Sequence, residues 1–161
     1  MKKLYLTIIF SLSLLPLILI RDSLSCAPSA PLYTHFVYMF AHASLLHWTA
    51  NTWSMVVFHN LFNPHRLLAA YVFSVLASFL PLSIGEVKPV LGLSVIVCFF
   101  LGMSARWLYH NSKLALCLSL ATVIISCFLP GFAGGYHVIM FVIGTLYFHV
   151  ECFIKRIRQY A

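Results

Sequence analysis

Three separate parts of the sequence carry polar side chains suited to acyl transfer. Within residues 40–51, His47 and Asn51 stand four residues apart and therefore share one face of a helix. Ser94 and His137 each lie near the start of a later apolar segment. A serine nucleophile, a histidine base and hydrogen-bond donors for an oxyanion are the groups that acyl transfer requires.

The composition indicates that these residues belong to an all-α membrane protein. Of the 161 residues, 62% are apolar and only 8% are charged, and the mean hydropathy is +0.97. A chain with so few polar residues cannot cover the surface of a soluble domain. Six spans of about 20 residues would use about 120 positions. We therefore expect one transmembrane domain, residues 1–161, with six helices.

The apolar segments and the breaks between them place the six helices. The predicted spans are residues 4–20, 45–62 and 67–84, a fourth that follows Pro89 and ends near residue 107, a fifth at 114–129, and a sixth from the turn at Pro130–Gly131 to about Glu151. The first is interpreted as an uncleaved helix. The aromatic connector 21–41 is expected to lie at the lipid interface.

Charge indicates the orientation of the helices. Only two of the ten Lys and Arg residues, Arg21 and Lys88, fall on the side opposite the chain termini. Cytoplasmic loops hold the excess of cations, so both termini are predicted to be cytoplasmic. The net charge of +7 does not indicate nucleic acid, because no basic stripe with interleaved aromatic residues is present. The five cysteines, an odd number, are interpreted as packing residues.

With this topology, the second, fourth and sixth helices all start at the outer face. Asn51, Ser94 and His137 would then lie at about the same depth, about 6 to 10 Å from the helix starts. Taken singly, each could be a packing residue. Other serines in the helices are predicted only to bond back to the carbonyl four residues earlier, namely Ser54, Ser74, Ser78, Ser119 and Ser126.

These motifs resemble the rhomboid family of intramembrane serine proteases, over roughly residues 30–150. The resemblance rests on the spacing of His42, His47 and Asn51, on Gly92-Leu93-Ser94, on His137, and on the aromatic approach 33–42. It implies a rhomboid-like bundle in which Ser94 is the nucleophile and His137 its base. It further implies that His47 and Asn51 are oxyanion donors, with His42 and Gly92 in supporting positions.

The resemblance also implies the setting of the protein. The substrates would be membrane proteins, cut in their transmembrane segments near the outer face. The chain would be a multi-pass protein of a bacterial inner membrane, with no cofactor and no nucleic-acid partner.

Two alternatives remain open. The chain differs from the family pattern at Val95, Cys98, Tyr136 and Met140, which favours a weak or inactive rhomboid-like protein that binds transmembrane segments. A metal or haem site built from His42, His47 and His137 is the other alternative. No carboxylate or cysteine cluster accompanies these histidines, which disfavours a metal site.

Overall fold

The computed structural model describes residues 2–27, 30–80, 90–128 and 134–160. Throughout these ranges the regular structure is helical, and the only β pairing among them is an isolated antiparallel bridge between Cys26 and Val90. The predicted all-α class is confirmed. Several sequence features predicted for the loops, including Lys88, Pro89, Pro130 and Gly131, lie outside the described residues.

Eight α-helices are described. They are α1 (Lys2–Ser13), α2 (Arg21–Leu24), α3 (Thr34–Val37), α4 (Leu45–Phe58), α5 (Pro64–Ser78), α6 (Ser94–Asn111), α7 (Lys113–Ile125) and α8 (Gly134–Tyr160). Short 3-10 helices cover Leu15–Ile20, Tyr38–Phe40 and His59–Leu61. Polar side chains cap the N-termini of several helices. The Ser44 and Asn63 side chains accept hydrogen bonds from backbone N–H groups in the first turns of α4 and α5.

Some helix bounds differ from the prediction for local reasons. The first segment is α-helical only to Ser13, because Pro16 lies in the next turn and the chain continues there as a 3-10 helix. Helix α5 begins at Pro64, a residue suited to the first turn, and ends at Ser78 rather than near residue 84. Helix α8 continues to Tyr160, well past the predicted end at Glu151.

Helix α6 is the central element of the bundle. Most of its first two-thirds is buried, including Phe99 and Phe100, and its main neighbour is α8. A Cβ at Gly102 would overlap the Phe141 carbonyl, and one at Gly144 would overlap the Phe99 carbonyl. The two backbones are therefore in direct contact at two levels, which fixes α6 and α8 closely against each other.

The aromatic connector lies deeper in the protein than predicted. Tyr38 and Met39 are fully buried and His35 nearly so, whereas Tyr33 and Phe36 are exposed. The Tyr38 hydroxyl donates to the Ser74 carbonyl of α5 at 3.0 Å. The expected interfacial segment is thus partly a core element, because one side of its short helices faces the bundle.

Two helical segments of the described chain are long and apolar enough to cross a membrane, Lys3–Leu24 and Gly134–Tyr160. The prediction from sequence was six. Helices α4, α5 and α7 are 14, 15 and 13 residues long, shorter than the about 20 residues of an ordinary span. Helix α6 is 18 residues long but ends in polar residues. By length and composition, the described residues therefore contain two candidate spans rather than six.

Candidate active site

Ser94 is the first residue of α6, and the segment before it is held from two sides. Val90 exchanges backbone hydrogen bonds with Cys26, at 3.1 and 2.7 Å. The Gly92 N–H donates to the Tyr38 carbonyl at 3.0 Å, and Gly92 has a φ of +99°, a conformation that favours glycine. The connector and the start of α6 therefore position Ser94 together.

His137 lies in the first turn of α8 and meets Ser94 across the helix interface. Its Nε2 atom is 2.9 Å from Ser94 Oγ, and its Nδ1 atom is 3.0 Å from Ser126 Oγ at the end of α7. The imidazole is 8% exposed, while Ser94 remains half-buried. An alcohol and an imidazole from separate helices are thus within hydrogen-bonding reach, and the serine residue is only partly buried.

His47, near the start of α4, presents its ring to the turn that precedes Ser94. The Ala43 N–H donates to His47 Nδ1 at 3.3 Å, so the neutral ring carries its proton on Nε2. A Cβ at Gly92 would lie 2.9 Å from that Nε2 atom. The His47 Nε2–H donor therefore faces the Gly92 backbone. The ring can lie this close only because Gly92 has no side chain.

Asn51 lies one helical turn beyond His47, on the same side of α4. It is 5% exposed, and its Nδ2 amide has no hydrogen-bond acceptor among the residues that the structure describes. A Cβ at Gly92 would lie 3.3 Å from Nδ2. A buried donor without an acceptor is uncommon in proteins and is a feature of functional sites. The Nδ2 amide can donate a hydrogen bond to an incoming carbonyl oxygen.

His42 lies behind His47 in the loop that leads into α4. It is fully buried, and the two imidazole centroids are 5.4 Å apart with the planes at 69°. Burial, with a further contribution from the neighbouring His47, lowers the pKa of His42 to about 4. His42 is therefore neutral near pH 7, and it supports the His47 ring by edge contact rather than by charge.

No carboxylate in the described residues joins this group. Asp22 is almost fully exposed beside Arg21. Glu151 lies on a later part of α8, where it is paired with Arg66 of α5. Glu86 lies outside the described residues. Within those residues no three His, Cys, Asp or Glu side chains are grouped as metal ligands. The arrangement has the composition of a serine–histidine dyad.

Ser126 is the residue at this site that the sequence does not reveal. Its prediction as a serine bonded to its own helix is right in part, because its hydroxyl donates to the Val123 carbonyl at 2.7 Å. The second contact, to His137, depends on where the end of α7 packs. No sequence pattern within α7 carries that information.

Comparisons with known proteins do not assign the chain to a family. No protein-family model matches the sequence, and no protein of curated function is significantly similar to it. The class of the chain therefore rests on its fold and on the geometry of these side chains.

Proposed function

We propose that the protein is a rhomboid-type intramembrane serine protease that cuts transmembrane segments near the outer membrane face. The observation that carries the proposal is the 2.9 Å contact between Ser94 Oγ and His137 Nε2. His47 and Asn51 lie beside the same turn, at Gly92. A nucleophile, a base and two donors at one place are the parts of an acyl-transfer site.

The surface of the bundle supports a multi-pass membrane protein. Large apolar side chains are exposed on several helices, including Leu46, Trp53, Leu114 and Leu146, each at least 60% exposed. Apolar surface of this extent is typical of a lipid-facing protein. In this proposal the shorter helices α4 to α7 cross a locally thin bilayer, and thinning is a known accommodation to short spans.

The positions of charged residues support the proposed orientation. Lys3 donates to the Phe62 carbonyl at 2.7 Å, and Arg66 pairs with Glu151, so these cations lie together at one end of the bundle. Arg21 donates to the Ala43 carbonyl beside the start of α4. The larger group of cations is thus at the end away from Ser94, which supports an outer-face position for the site in this proposal.

In the first half of the reaction, Ser94 Oγ attacks the carbonyl carbon of the scissile peptide bond. Its proton passes to His137 Nε2, 2.9 Å away. The carbon–oxygen double bond becomes a single bond, and the resulting tetrahedral intermediate carries a negative oxygen. When it collapses, His137 gives the proton to the leaving amine and an acyl ester remains on Ser94.

The oxyanion of that intermediate is stabilised by donors on two helices. The Asn51 amide and the His47 Nε2–H supply side-chain donors, and the first N–H groups of α6 have no acceptor within the helix. Leu93, the N-cap residue of α6, has no side-chain acceptor that could occupy those groups. They are available to an anion.

In the second half, water replaces the amine. His137 removes a proton from water, the resulting hydroxide attacks the ester carbon, and Ser94 leaves with that proton restored. In this proposal water reaches the ester from the side of the exposed loop at Ala43 and Ser44, and Ser94 itself is only partly buried.

The substrate is a transmembrane helix that unwinds easily near its outer end. A peptide bond inside a regular helix has its carbonyl engaged in hydrogen bonding and shielded from a nucleophile. The products are two membrane-derived fragments, and the reaction needs no cofactor.

The direct test is cleavage of a transmembrane reporter by detergent-purified protein. Ser94→Ala is expected to abolish cleavage, because it removes the hydroxyl that faces His137 Nε2 and would form the ester. Ser119→Ala is the matched control, since Ser119 Oγ bonds only to the Ala115 carbonyl of its own helix. Cleavage by Ser94→Ala at the wild-type rate would reject the nucleophile. Reporter binding without cleavage by the unaltered protein would favour the rhomboid-like binding protein instead.

A further inference from the structure

The hydroxyl of Ser126 has a hydrogen-bond arrangement that constrains the protonation of His137. A hydroxyl carries one proton, and Ser126 Oγ lies 2.7 Å from the Val123 carbonyl oxygen, which can only accept that proton. With the proton donated to Val123, the contact with His137 Nδ1 at 3.0 Å uses the serine oxygen as the acceptor. The proton in that contact belongs to Nδ1.

This arrangement leaves the other ring nitrogen of His137 as an acceptor. In a neutral imidazole, one nitrogen carries the proton and the other has the lone pair. With the proton on Nδ1, the lone pair on Nε2 faces the Ser94 hydroxyl at 2.9 Å. In the opposite tautomer, the proton on Nε2 would lie between His137 and Ser94. Ser126 would then have to donate its proton to Nδ1 and would lose its hydrogen bond to the Val123 carbonyl.

The end of α7 is held firmly enough for this role. Gly134, three residues before His137, packs on the backbone of Ser126 and Cys127, where a Cβ would overlap both. Ser126 and His137 are 6% and 8% exposed. A hydrogen bond shielded from water in this way competes little with solvent and holds its geometry.

We propose that Ser126 is a positioning residue that selects the base-competent tautomer of His137. The inference rests on the proposed protease function. Ser126 here has the part that a buried carboxylate has in a serine protease triad, with a neutral acceptor in place of a charged one. Because the acceptor is neutral, the expected effect is smaller than the loss seen when a triad carboxylate is altered.

The test compares steady-state cleavage of a transmembrane reporter by the full-length protein and three variants. Ser126→Ala is expected to lower kcat about 10-fold with KM unchanged, the scale of one buried hydrogen bond. Ser126→Thr keeps the hydroxyl and is expected to restore kcat. Ser119→Ala, which loses only a bond within the same helix, is expected to match the unaltered protein.

A second measurement reads the tautomer itself. Nitrogen-15 NMR of histidine-labelled protein, with His137 assigned from a His137→Asn sample, is expected to show Nδ1 protonated. In Ser126→Ala the proton is expected to move in part to Nε2. The position of the His137 proton is read without measuring cleavage. It can therefore be compared between the two proteins even where Ser126→Ala lowers stability and activity.

The outcomes separate this inference from the proposed function. Wild-type kcat in Ser126→Ala, equal losses in Ser126→Ala and Ser119→Ala, or an unchanged His137 tautomer would each overturn the role of Ser126. Cleavage that persists in Ser94→Ala would instead overturn the assignment of Ser94 as the nucleophile, and reporter binding without cleavage by the unaltered protein would overturn the proposed protease function.

Discussion

Replacing Gly92 by alanine tests the packing at the turn before Ser94. Gly92 has a φ of +99°, and a residue with a Cβ in such a conformation costs about 1 to 3 kcal/mol. The new Cβ would also lie 2.6 Å from His47 Cε1. Carbon atoms pack at about 3.5 Å, so the ring must move by about 1 Å. Overpacking of this kind costs a further about 1 to 3 kcal/mol.

The same displacement should affect catalysis. A group misplaced by about 1 Å can lower the rate about 100-fold, and His47 is the proposed donor nearest to Gly92. We therefore expect Gly92→Ala to lower the free energy of unfolding by about 2 to 6 kcal/mol. We expect it also to lower kcat by about 100-fold.

A double-mutant cycle separates the two contributions. His47→Ala removes the ring that the new Cβ would meet, so Gly92→Ala in that background should retain the backbone strain and the looser 3.3 Å contact with Asn51 Nδ2. The coupling free energy should be about 1 to 3 kcal/mol, measured by unfolding in mixed detergent micelles. Additive effects would refute the contact between Gly92 and His47. A Gly92→Ala protein with unaltered stability would refute the strained turn as well.

Two further predictions concern Asn51 and the ion pair at the other end of the bundle. Asn51→Ala removes a buried donor that lacks an acceptor among the described residues, so we expect kcat to fall about 10-fold or more while stability holds or rises. Lower stability with unchanged kcat would contradict this. Glu151→Gln breaks the ion pair between Glu151 and Arg66, whose side chains are 12% and 14% exposed respectively. Because this pair is largely buried, we expect the loss to lower the free energy of unfolding by about 3 to 5 kcal/mol. Kinetics of the folded protein should be unaffected, and exposed Lys155→Gln, the control, should cost under about 1 kcal/mol.

The local features of the site could be predicted from the sequence because they depend on short-range rules. The four-residue spacing places His47 and Asn51 on one side of α4. Gly92 predicts that the next helix starts near Ser94, and α6 begins at that residue. The roles of these residues stay predictions, since only their positions are described.

Other features could not be predicted because they depend on packing between helices. Ser126 reaches His137 only because the end of α7 lies against Gly134. Tyr38 appears interfacial by composition, yet its ring is buried against α5. The backbone contact of α6 with α8 at Gly102 and Gly144 also follows from the three-dimensional arrangement. Residue type alone does not specify which of several apolar helices a given helix packs against.

The most direct measurement of the central claim is the site of reaction with a fluorophosphonate, located by mass spectrometry of the purified protein. Such a reagent modifies only a serine whose proton a nearby base can remove. We expect one adduct, on Ser94, that is lost in His137→Ala and retained in Ser119→Ala. An unmodified Ser94, or modification that persists without His137, would contradict the dyad.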